Sequence, residues 1–293
     1  MFIDRFIYFI TYEKRFSKHT VAAYSHELAV YTEYLPTSGA DVGQVTHRQA
    51  RAYLAERLES GLSPVSVNRS LAALRTYYRF LMREGVVTQN PFALVRALKT
   101  PKRLPVTVDK EKLSAMLDSV GAFPQSFEGV RDRTVLELLF GTGIRLSELL
   151  QIREEHIDFY NGNIHIFGKR SKERLVPMNK SLQVVLRHYI DEKNKQYFDN
   201  NLAHLIVTKK GKSAYPGLIY DIVTRYLGTI SSQRKKSPHV LRHTFATTLL
   251  DNGADLNAIK ELLGHAGLAA TQVYTHNSVE RLKSIYKQAH PKA

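Results

Sequence analysis

Cysteine is absent from the 293 residues of this sequence. Its absence excludes thiol nucleophiles, thiolate metal sites and disulfide bonds, and it is compatible with a reducing compartment. A chain of this length forms two hydrophobic cores without such cross-links, because it has residues enough for two domains of ordinary size.

Long apolar runs are also missing, since no window approaches the roughly 18 to 20 apolar residues that a membrane span requires. The apolar stretch at residues 1–16 carries Asp4 and Arg5 within it. It has neither the leading positive region nor the small-residue cleavage site of a signal peptide. We therefore expect a cytoplasmic protein with no membrane partner.

Acidic residues are scarce relative to basic ones: 27 Asp and Glu stand against 42 Lys and Arg, and the net charge is +15. Such a surplus points to a polyanionic partner, either nucleic acid or an acidic membrane surface. Without a membrane segment, nucleic acid is favoured. A basic protein with no polyanionic partner is the alternative.

Helical spacing of apolar residues recurs through residues 1–98 and predicts a compact four-helix domain with basic outer faces. Thr46 and Gln49 form a capping box at the start of one helix. Ser63 as N-cap and Pro64 in the first helical position begin another. Residues 1–98 are thus the first predicted domain.

A basic linker is predicted over residues 99–107. It contains two prolines, three cations and no acidic residue: Pro101, Pro105, Lys99, Lys102 and Arg103. Prolines at this spacing disfavour a helix. The segment is either an ordinary exposed linker or a basic strap that crosses a DNA backbone.

The second predicted domain, residues 108–293, mixes helices with a small sheet. Two runs of β-propensity, Ile164–Phe167 and Arg174–Val176, flank the sequence GKRSKE and predict a hairpin. Helical patterns precede and follow it, and the last covers about 278–289. The whole chain is therefore predicted to be mainly α, with one small sheet in the second domain.

One group of candidate functional residues lies at the start of a predicted helix. His239 and Arg242 share a face because they are three residues apart, and a helix N-terminus favours anions. A local cap with a structural ion pair is the alternative. His239 and His243 have the spacing of a metal site, but no Glu lies between them, so we expect no metal.

Four further candidates are weak when each is taken alone. Arg145 follows a Gly-Thr-Gly turn, Lys169 lies at the hairpin tip, and His265 follows a helix stop. Tyr274 lies nine residues beyond His265. A plain helix cap with a surface arginine is the favoured explanation for Arg145 alone, a solubilising lysine for Lys169 alone, and ordinary packing for Tyr274 alone.

Taken in order, these residues resemble the active-site signature of the tyrosine recombinase (lambda-integrase-like) family. The surrounding sequences match as well: TGIRLSELLQI, GKRSKERLVP, HVLRHTFATTLL and ELLGHAGLAATQVYTH. The resemblance covers nearly the whole chain and is closest to the Xer branch, because the chain begins directly with a core-binding domain. Thr248 stands where many Xer sequences have His, which leaves the Xer subtype open.

The resemblance implies a DNA breaking-rejoining enzyme fold. Its parts are a SAM-like core-binding domain and a mostly α catalytic domain with a three-stranded antiparallel sheet, which together form a C-shaped clamp around the duplex. The implied assembly is a homotetramer, or a heterotetramer with a sister recombinase, on double-stranded DNA with paired inverted half-sites. A DNA translocase as activator is left open. The last helix either docks on a neighbouring protomer or folds back on its own domain.

The resemblance also implies a catalytic set of Arg145, Lys169, His239, Arg242, His265 and Tyr274. The two arginines would clamp the non-bridging phosphate oxygens, since guanidinium groups make paired bonds and stay charged. Tyr274 would be the nucleophile of a 3′-phosphotyrosine intermediate, and Lys169 the general acid. His239 and His265 would act as base and as donor, in an order that stays open. No cofactor is implied.

DNA contacts outside the catalytic set are expected from Arg69, Arg75 and Arg79 in the first domain, and from Lys102 and Arg103 in the linker. A solvated helix face is the alternative for the first three. Chromosome-dimer resolution is the expected role, and integration of a mobile element or promoter inversion compete with it. A type IB topoisomerase and a non-catalytic architectural DNA-binding protein are the remaining candidate functions.

Overall fold

The computed structural model describes residues 2–37, 39, 41–101, 106–119, 121–168, 173–196, 198, 204–233, 235–264 and 276–290. The chain divides into two compact units, Met1–Arg103 and Leu104–Ala293, and each has a hydrophobic core of its own. Among the helices that these residues form, none combines the length and the apolar character needed to cross a bilayer.

Four α-helices build the described part of the first unit: α1 Phe2–Tyr8, α2 Lys18–Thr37, α3 His47–Glu59 and α4 Pro64–Arg83. A π-helical turn, Phe9–Glu13, extends α1. The predicted capping box is confirmed, because Thr46 and Gln49 each bond the other's backbone N–H. Ser63 caps α4 ahead of Pro64, as predicted.

Aromatic residues fill much of the core of the first unit, and the hydroxyl groups of three buried tyrosines are paired. The hydroxyl groups of Tyr31 and Tyr78 lie 2.8 Å apart. Glu27 is a buried carboxylate that accepts bonds from Tyr53 at 2.8 Å and from Ser70 at 2.7 Å. Pairing of this kind lets polar atoms be buried at little cost, so Glu27 has a structural role.

The second unit contains eight α-helices and one sheet in its described residues. The helices are α5 Lys110–Asp118, α6 Phe127–Thr142, α7 Leu146–Leu149, α8 Lys180–Asn194, α9 Pro216–Ile230, α10 Pro238–Asp251, α11 Leu256–Leu263 and α12 His276–Ala289. The strands are β1 Ile157–Asp158, β2 Asn163–Phe167 and β3 Glu173–Pro177, paired antiparallel in that order. The predicted fold class, mainly α with a small three-stranded sheet, is confirmed.

Helix α6 runs through the middle of the second unit and contacts α8, α9 and α10. It ends at Gly143, which has a φ of +61°. A Cβ atom at this position would lie 2.3 Å from Cδ1 of Phe245 and 2.9 Å from Cδ2 of Leu263. Only glycine fits here, and the sharp turn that it allows brings the next residues, including Arg145, back toward α10 and α11.

The described side chains of α12 fold back on their own domain, one of the two arrangements expected for this helix. The hydroxyl group of Tyr286 is buried and donates to the Gly141 carbonyl at 2.7 Å. His290 Nε2 lies 3.0 Å from the same carbonyl oxygen. Ala289 packs in a core cluster with Phe245. Docking of this helix on a neighbouring protomer stays a prediction for the assembled enzyme.

We predict that Tyr286→Phe lowers the free energy of unfolding by about 1 kcal/mol, because a buried hydrogen bond is lost while His290 still contacts the carbonyl. Urea unfolding of the purified protein measures this difference. Tyr160→Phe is the matched control, since Tyr160 is 97% exposed. Equal stability of the Tyr286 variant and the wild type would contradict the prediction.

Candidate active site

The turn after α6 places Arg145 at the N-cap of α7, and Glu148 fixes it there. Glu148 Oε2 accepts a hydrogen bond from the Arg145 backbone N–H at 2.8 Å. Glu148 Oε1 accepts a second from Arg145 Nη1 at 2.9 Å. A Glu at the third helical position commonly bonds the N-cap N–H. Here the same carboxylate also orients the guanidinium group, so both ends of Arg145 are held.

Arg174 approaches the same carboxylate from β3. Its Nη1 and Nη2 donate to Glu148 Oε1 and Oε2 at 2.9 and 2.8 Å, which is a two-pronged ion pair. Its Nε donates to the carbonyl of Leu262 at 2.9 Å. Glu148 is 5% exposed and Arg174 is 6% exposed. The Glu148 carboxylate therefore accepts four hydrogen bonds and is itself buried.

The pKa of Glu148 reflects this environment. Burial alone would raise the pKa, but the hydrogen bonds and charge of Arg174, with the bonds from Arg145, outweigh burial and lower it to about 2. Glu148 is consequently ionised throughout the physiological pH range.

Arg242 lies on α10 and is buried. The helix begins with Ser237 at the N-cap and Pro238 in the first position, as predicted. Arg242 Nη1 donates to the carbonyl of Gly143 at 2.5 Å, and Nη2 donates to the carbonyl of Leu263 at 2.7 Å. The turn that leads to Arg145 is thus tied directly to α10.

The C-terminal end of α11 is bound by three arginines. Successive carbonyl groups each accept a bond from a different guanidinium: Leu262 from Arg174 at 2.9 Å, Leu263 from Arg242 at 2.7 Å, and Gly264 from Arg145 at 2.9 Å. The last carbonyl groups of a helix carry partial negative charge, which favours cations. Because the acceptors are consecutive, the three side chains converge on one region.

This cluster carries more positive than negative charge. Three guanidinium groups surround one carboxylate among its described side chains, so the net charge is 3 − 1 = +2. Burial, followed by the charge of the neighbouring Arg145, lowers the pKa of Arg242 to about 10. The positive charges of Arg145 and Arg242 repel each other, and an anion that contacts both would relieve this repulsion. The site is therefore suited to a phosphate group.

The structure brings together two of the six predicted catalytic residues, Arg145 and Arg242. His239 is exposed on the first turn of α10, one turn before Arg242. Lys169, His265 and Tyr274 lie outside the described residues. In the sequence, Lys169 falls between β2 and β3, His265 directly follows Gly264, and Tyr274 precedes α12 by two positions.

Two residues of the cluster, Glu148 and Arg174, were not selected by sequence reasoning. Glu148 had a local signal, because it stands three residues after the N-cap Arg145 in the manner of a capping box. Arg174 had a weaker one: it shares a strand face with Val176, which is buried. In the described residues, no group of three or more His, Asp or Glu side chains is placed to hold a metal ion.

The three arginines predicted on α4 differ in their surroundings. Arg69 and Arg79 are exposed. Arg75 instead donates from Nε to the carbonyl of Phe92 at 2.9 Å, and from Nη2 to the carbonyls of Ala93 and Val95. Arg75 thus fastens the segment after α4 to that helix. Lys102 and Arg103 lie outside the described residues.

Comparison with known proteins identifies the family. Residues 107–281 match the Phage integrase family, and residues 3–85 match the Phage integrase N-terminal SAM-like domain. The chain belongs to the phage integrase family. The chain is 37% identical over 292 residues to Tyrosine recombinase XerC of Listeria innocua, and the match covers 99% of this chain and 97% of the relative.

A second relative is named XerD. Tyrosine recombinase XerD of Staphylococcus epidermidis is 33% identical over 293 residues, 99% of either chain. A crystal structure of the XerH site-specific recombinase, bound to a palindromic difH substrate in a post-cleavage complex, shares the fold. Its TM-score is 0.74 at 23% identity, over 90% of this chain and 78% of that one. The resemblance in the sequence is confirmed, and the chain is a site-specific tyrosine recombinase of the Xer type.

We predict that Glu148→Gln lowers stability in a pH-dependent way. The folded-state pKa of Glu148, about 2, lies below its ordinary value of 4.5. The resulting stabilisation is present above pH 4.5 and is lost as the pH falls from there toward 2. At pH 7 the ionised group contributes about 3 kcal/mol, and roughly half of this is gone near pH 3.

Unfolding by urea at pH 7, 5 and 3 tests this dependence. The stability difference between the wild type and Glu148→Gln is expected to shrink as the pH falls. Glu155→Gln, which alters a side chain that is 68% exposed, is expected to give no such trend. A difference for Glu148→Gln that does not change with pH would show that its carboxylate is not held ionised by the arginines.

Proposed function

We propose that this recombinase cleaves and rejoins double-stranded DNA through a 3′-phosphotyrosine at Tyr274. The observation that carries the proposal is the pair of arginines, Arg145 and Arg242, held beside each other in a cluster with a net positive charge. Solved relatives of the same fold are described as bound to DNA substrates, and the basic composition of the chain agrees with such a partner.

Groups of the protein itself orient the two arginines. Arg145 uses two side-chain bonds, to Glu148 and to the Gly264 carbonyl. Arg242 uses two, to the carbonyls of Gly143 and Leu263. A guanidinium has five N–H donors, so each keeps donors for the non-bridging oxygens of a phosphate. Donors fixed in this way stabilise the charge that develops in the transition state without reorganising.

The remaining residues of the set would move protons. A tyrosine hydroxyl has a pKa of about 10 in water, so a base must take its proton as it attacks the phosphorus. His239, at the first turn of α10, and His265 are the candidates. The bond between phosphorus and the 5′ oxygen breaks, and Lys169 gives that oxygen a proton. The new phosphodiester keeps the bond energy, so a second 5′ hydroxyl reverses the step without a cofactor.

The proposed assembly is a tetramer on two DNA sites with inverted half-sites, in which strands exchange in pairs through a four-way junction. It consists of four copies of this chain or includes a sister recombinase. We propose resolution of chromosome dimers in the cytoplasm as its role, with a DNA translocase as a potential activator. The Xer names of the relatives support this role over integration or promoter inversion.

Covalent capture tests the chemistry. The protein is expressed in its host, the lysate is denatured, and the DNA that stays attached to the protein is sequenced. The wild type is expected to retain DNA ends and Tyr274→Phe to retain none, because the phenol oxygen forms the bond. A single locus opposite the replication origin would support dimer resolution. Equal recovery from both proteins would exclude Tyr274 as the nucleophile.

The role of the arginine pair is tested on a synthetic duplex that carries the captured sequence. Arg242→Gln is expected to slow formation of the covalent adduct by about a hundredfold to a thousandfold, the usual effect of losing one preorganised donor. Arg225→Gln, at a side chain that is mostly exposed, serves as the control. A wild-type rate in the Arg242 variant would contradict the phosphate clamp.

The three arginines of α4 are expected to differ in whether their replacement lowers DNA affinity or protein stability. Arg69→Ala and Arg79→Ala should each lower DNA affinity and reduce the salt slope by about 1, because each removes one phosphate contact. Arg75→Ala should mainly lower the stability of the protein, because its guanidinium binds carbonyl groups. Fluorescence anisotropy at several salt concentrations, together with urea unfolding, measures both effects. An unchanged salt slope in both exposed-arginine variants would remove α4 from the DNA interface.

A further inference from the structure

Arg174 joins three parts of the catalytic unit that are distant in the sequence. It belongs to β3, which directly follows the connection that contains Lys169. Its guanidinium binds Glu148 on α7 and the Leu262 carbonyl near the end of α11. Each of these segments adjoins a residue of the proposed catalytic set.

The Glu148 carboxylate links Arg174 to Arg145, because it accepts hydrogen bonds from both. Oε1 accepts from Nη1 of both arginines at 2.9 Å, and Oε2 accepts from the Arg145 backbone and from Arg174 Nη2 at 2.8 Å. A movement of the carboxylate would therefore change the orientation of Arg145. Arg174 is buried, whereas the Arg145 side chain is 35% exposed. Of the two, Arg145 is the one that a phosphate can reach.

Gly264, the C-cap of α11, packs against the same guanidinium group. A Cβ atom added at Gly264 would lie 3.0 Å from Arg174 Nη1 and 3.2 Å from its Cζ. The Gly264 carbonyl in turn accepts from Arg145 at 2.9 Å. Arg174 therefore supports Arg145 by two routes, through the Glu148 carboxylate and through the turn at Gly264.

A lysine cannot reproduce these contacts. Two parallel bonds to one carboxylate, with a third bond to a carbonyl on the Nε side, require the planar fork of an arginine. The ammonium group of Lys is a compact point charge on a flexible chain. Arg174→Lys therefore keeps the charge of the cluster while it removes the geometry.

We propose that Arg174 is a positioning residue for strand cleavage: it fixes Glu148 and the end of α11 so that the free N–H groups of Arg145 meet the scissile phosphate. This role rests on the proposed function. It predicts that loss of Arg174 slows the cleavage step itself, and slows it more for a negatively charged phosphate than for an uncharged substitute.

The test uses the captured DNA sequence as a synthetic duplex, made either with an ordinary scissile phosphate or with an uncharged methylphosphonate there. Single-turnover formation of the covalent adduct is measured at saturating protein, and the Kd for DNA is measured separately. Arg174→Lys is expected to cleave the ordinary substrate about 10- to 100-fold more slowly than the wild type, a range like that for residues that orient metal ligands through hydrogen bonds. Its Kd is expected to change by less than about twofold, because Arg174 is buried and does not contact DNA.

On the methylphosphonate duplex the difference between Arg174→Lys and the wild type is expected to fall below about threefold, because no anionic oxygen pair remains for Arg145 to neutralise. Arg131→Lys is the matched control. Arg131 is equally buried in the same unit and pairs with Asp132 at 2.7 Å. Its replacement is expected to affect cleavage of the two substrates equally.

Three results would overturn the assignment: wild-type cleavage by Arg174→Lys, equal slowing on both substrates, or the absence of a cooperative unfolding transition in this variant. The last result would give Arg174 a role in folding alone. Wild-type protein that forms no Tyr274-dependent adduct would refute the proposed function itself, and the role of Arg174 with it. A wild type that cleaves beside an unaffected Arg174 variant would refute only the positioning role.

Discussion

The arginine cluster of the second unit depends on the carboxylate of Glu148 and the four hydrogen bonds that it accepts from Arg145 and Arg174. A buried carboxylate is costly unless it is paired and fully hydrogen-bonded. Each oxygen of the Glu148 carboxylate accepts two hydrogen bonds from the arginines. Its partners are 3 and 26 residues away, and Arg174 continues to Leu262, 88 residues away. The arginine cluster therefore forms only when the hairpin, α7 and α11 have packed together, so the orientation of Arg145 depends on the completed fold.

The sequence predicted features that depend on local chemistry. Thr46 and Ser63 cap helices through bonds to near neighbours, and Pro64 occupies a first helical position that suits proline, so the sequence alone indicates where these helices begin. The glycine at position 143 is required by contact with Phe245, 102 residues further along the chain, and no local signal in the sequence shows that contact. The motifs gave the family and the candidate residues, but spacing alone could not show which distant groups surround each one.

Two further features show the same limit. The helical pattern placed Arg75 beside Arg79 near the outer face of α4, but the segment at residues 92–95 returns to cover Arg75 and binds its guanidinium. Similarly, the sequence predicted the last helix but left open whether it docks on a neighbouring protomer or folds back on its own domain. In the structure Tyr286 of that helix binds the Gly141 carbonyl of its own domain. Contacts between distant segments decide such cases, and periodicity carries no information about them.

The acceptors in the cluster suit the negative charge of the proposed substrate. Arg242 is oriented by the neutral carbonyls of Gly143 and Leu263. A carboxylate in their place would hold the guanidinium as firmly, but it would neutralise the positive charge and a phosphate would have to compete with it. Among the described side chains of the cluster the one carboxylate, Glu148, is shared with Arg174, so the cluster keeps a net positive charge. Burial lowers the pKa of Arg242, and the charge of Arg145 lowers it further. Binding of a phosphodiester would offset the repulsion between Arg145 and Arg242, and this would favour the bound state.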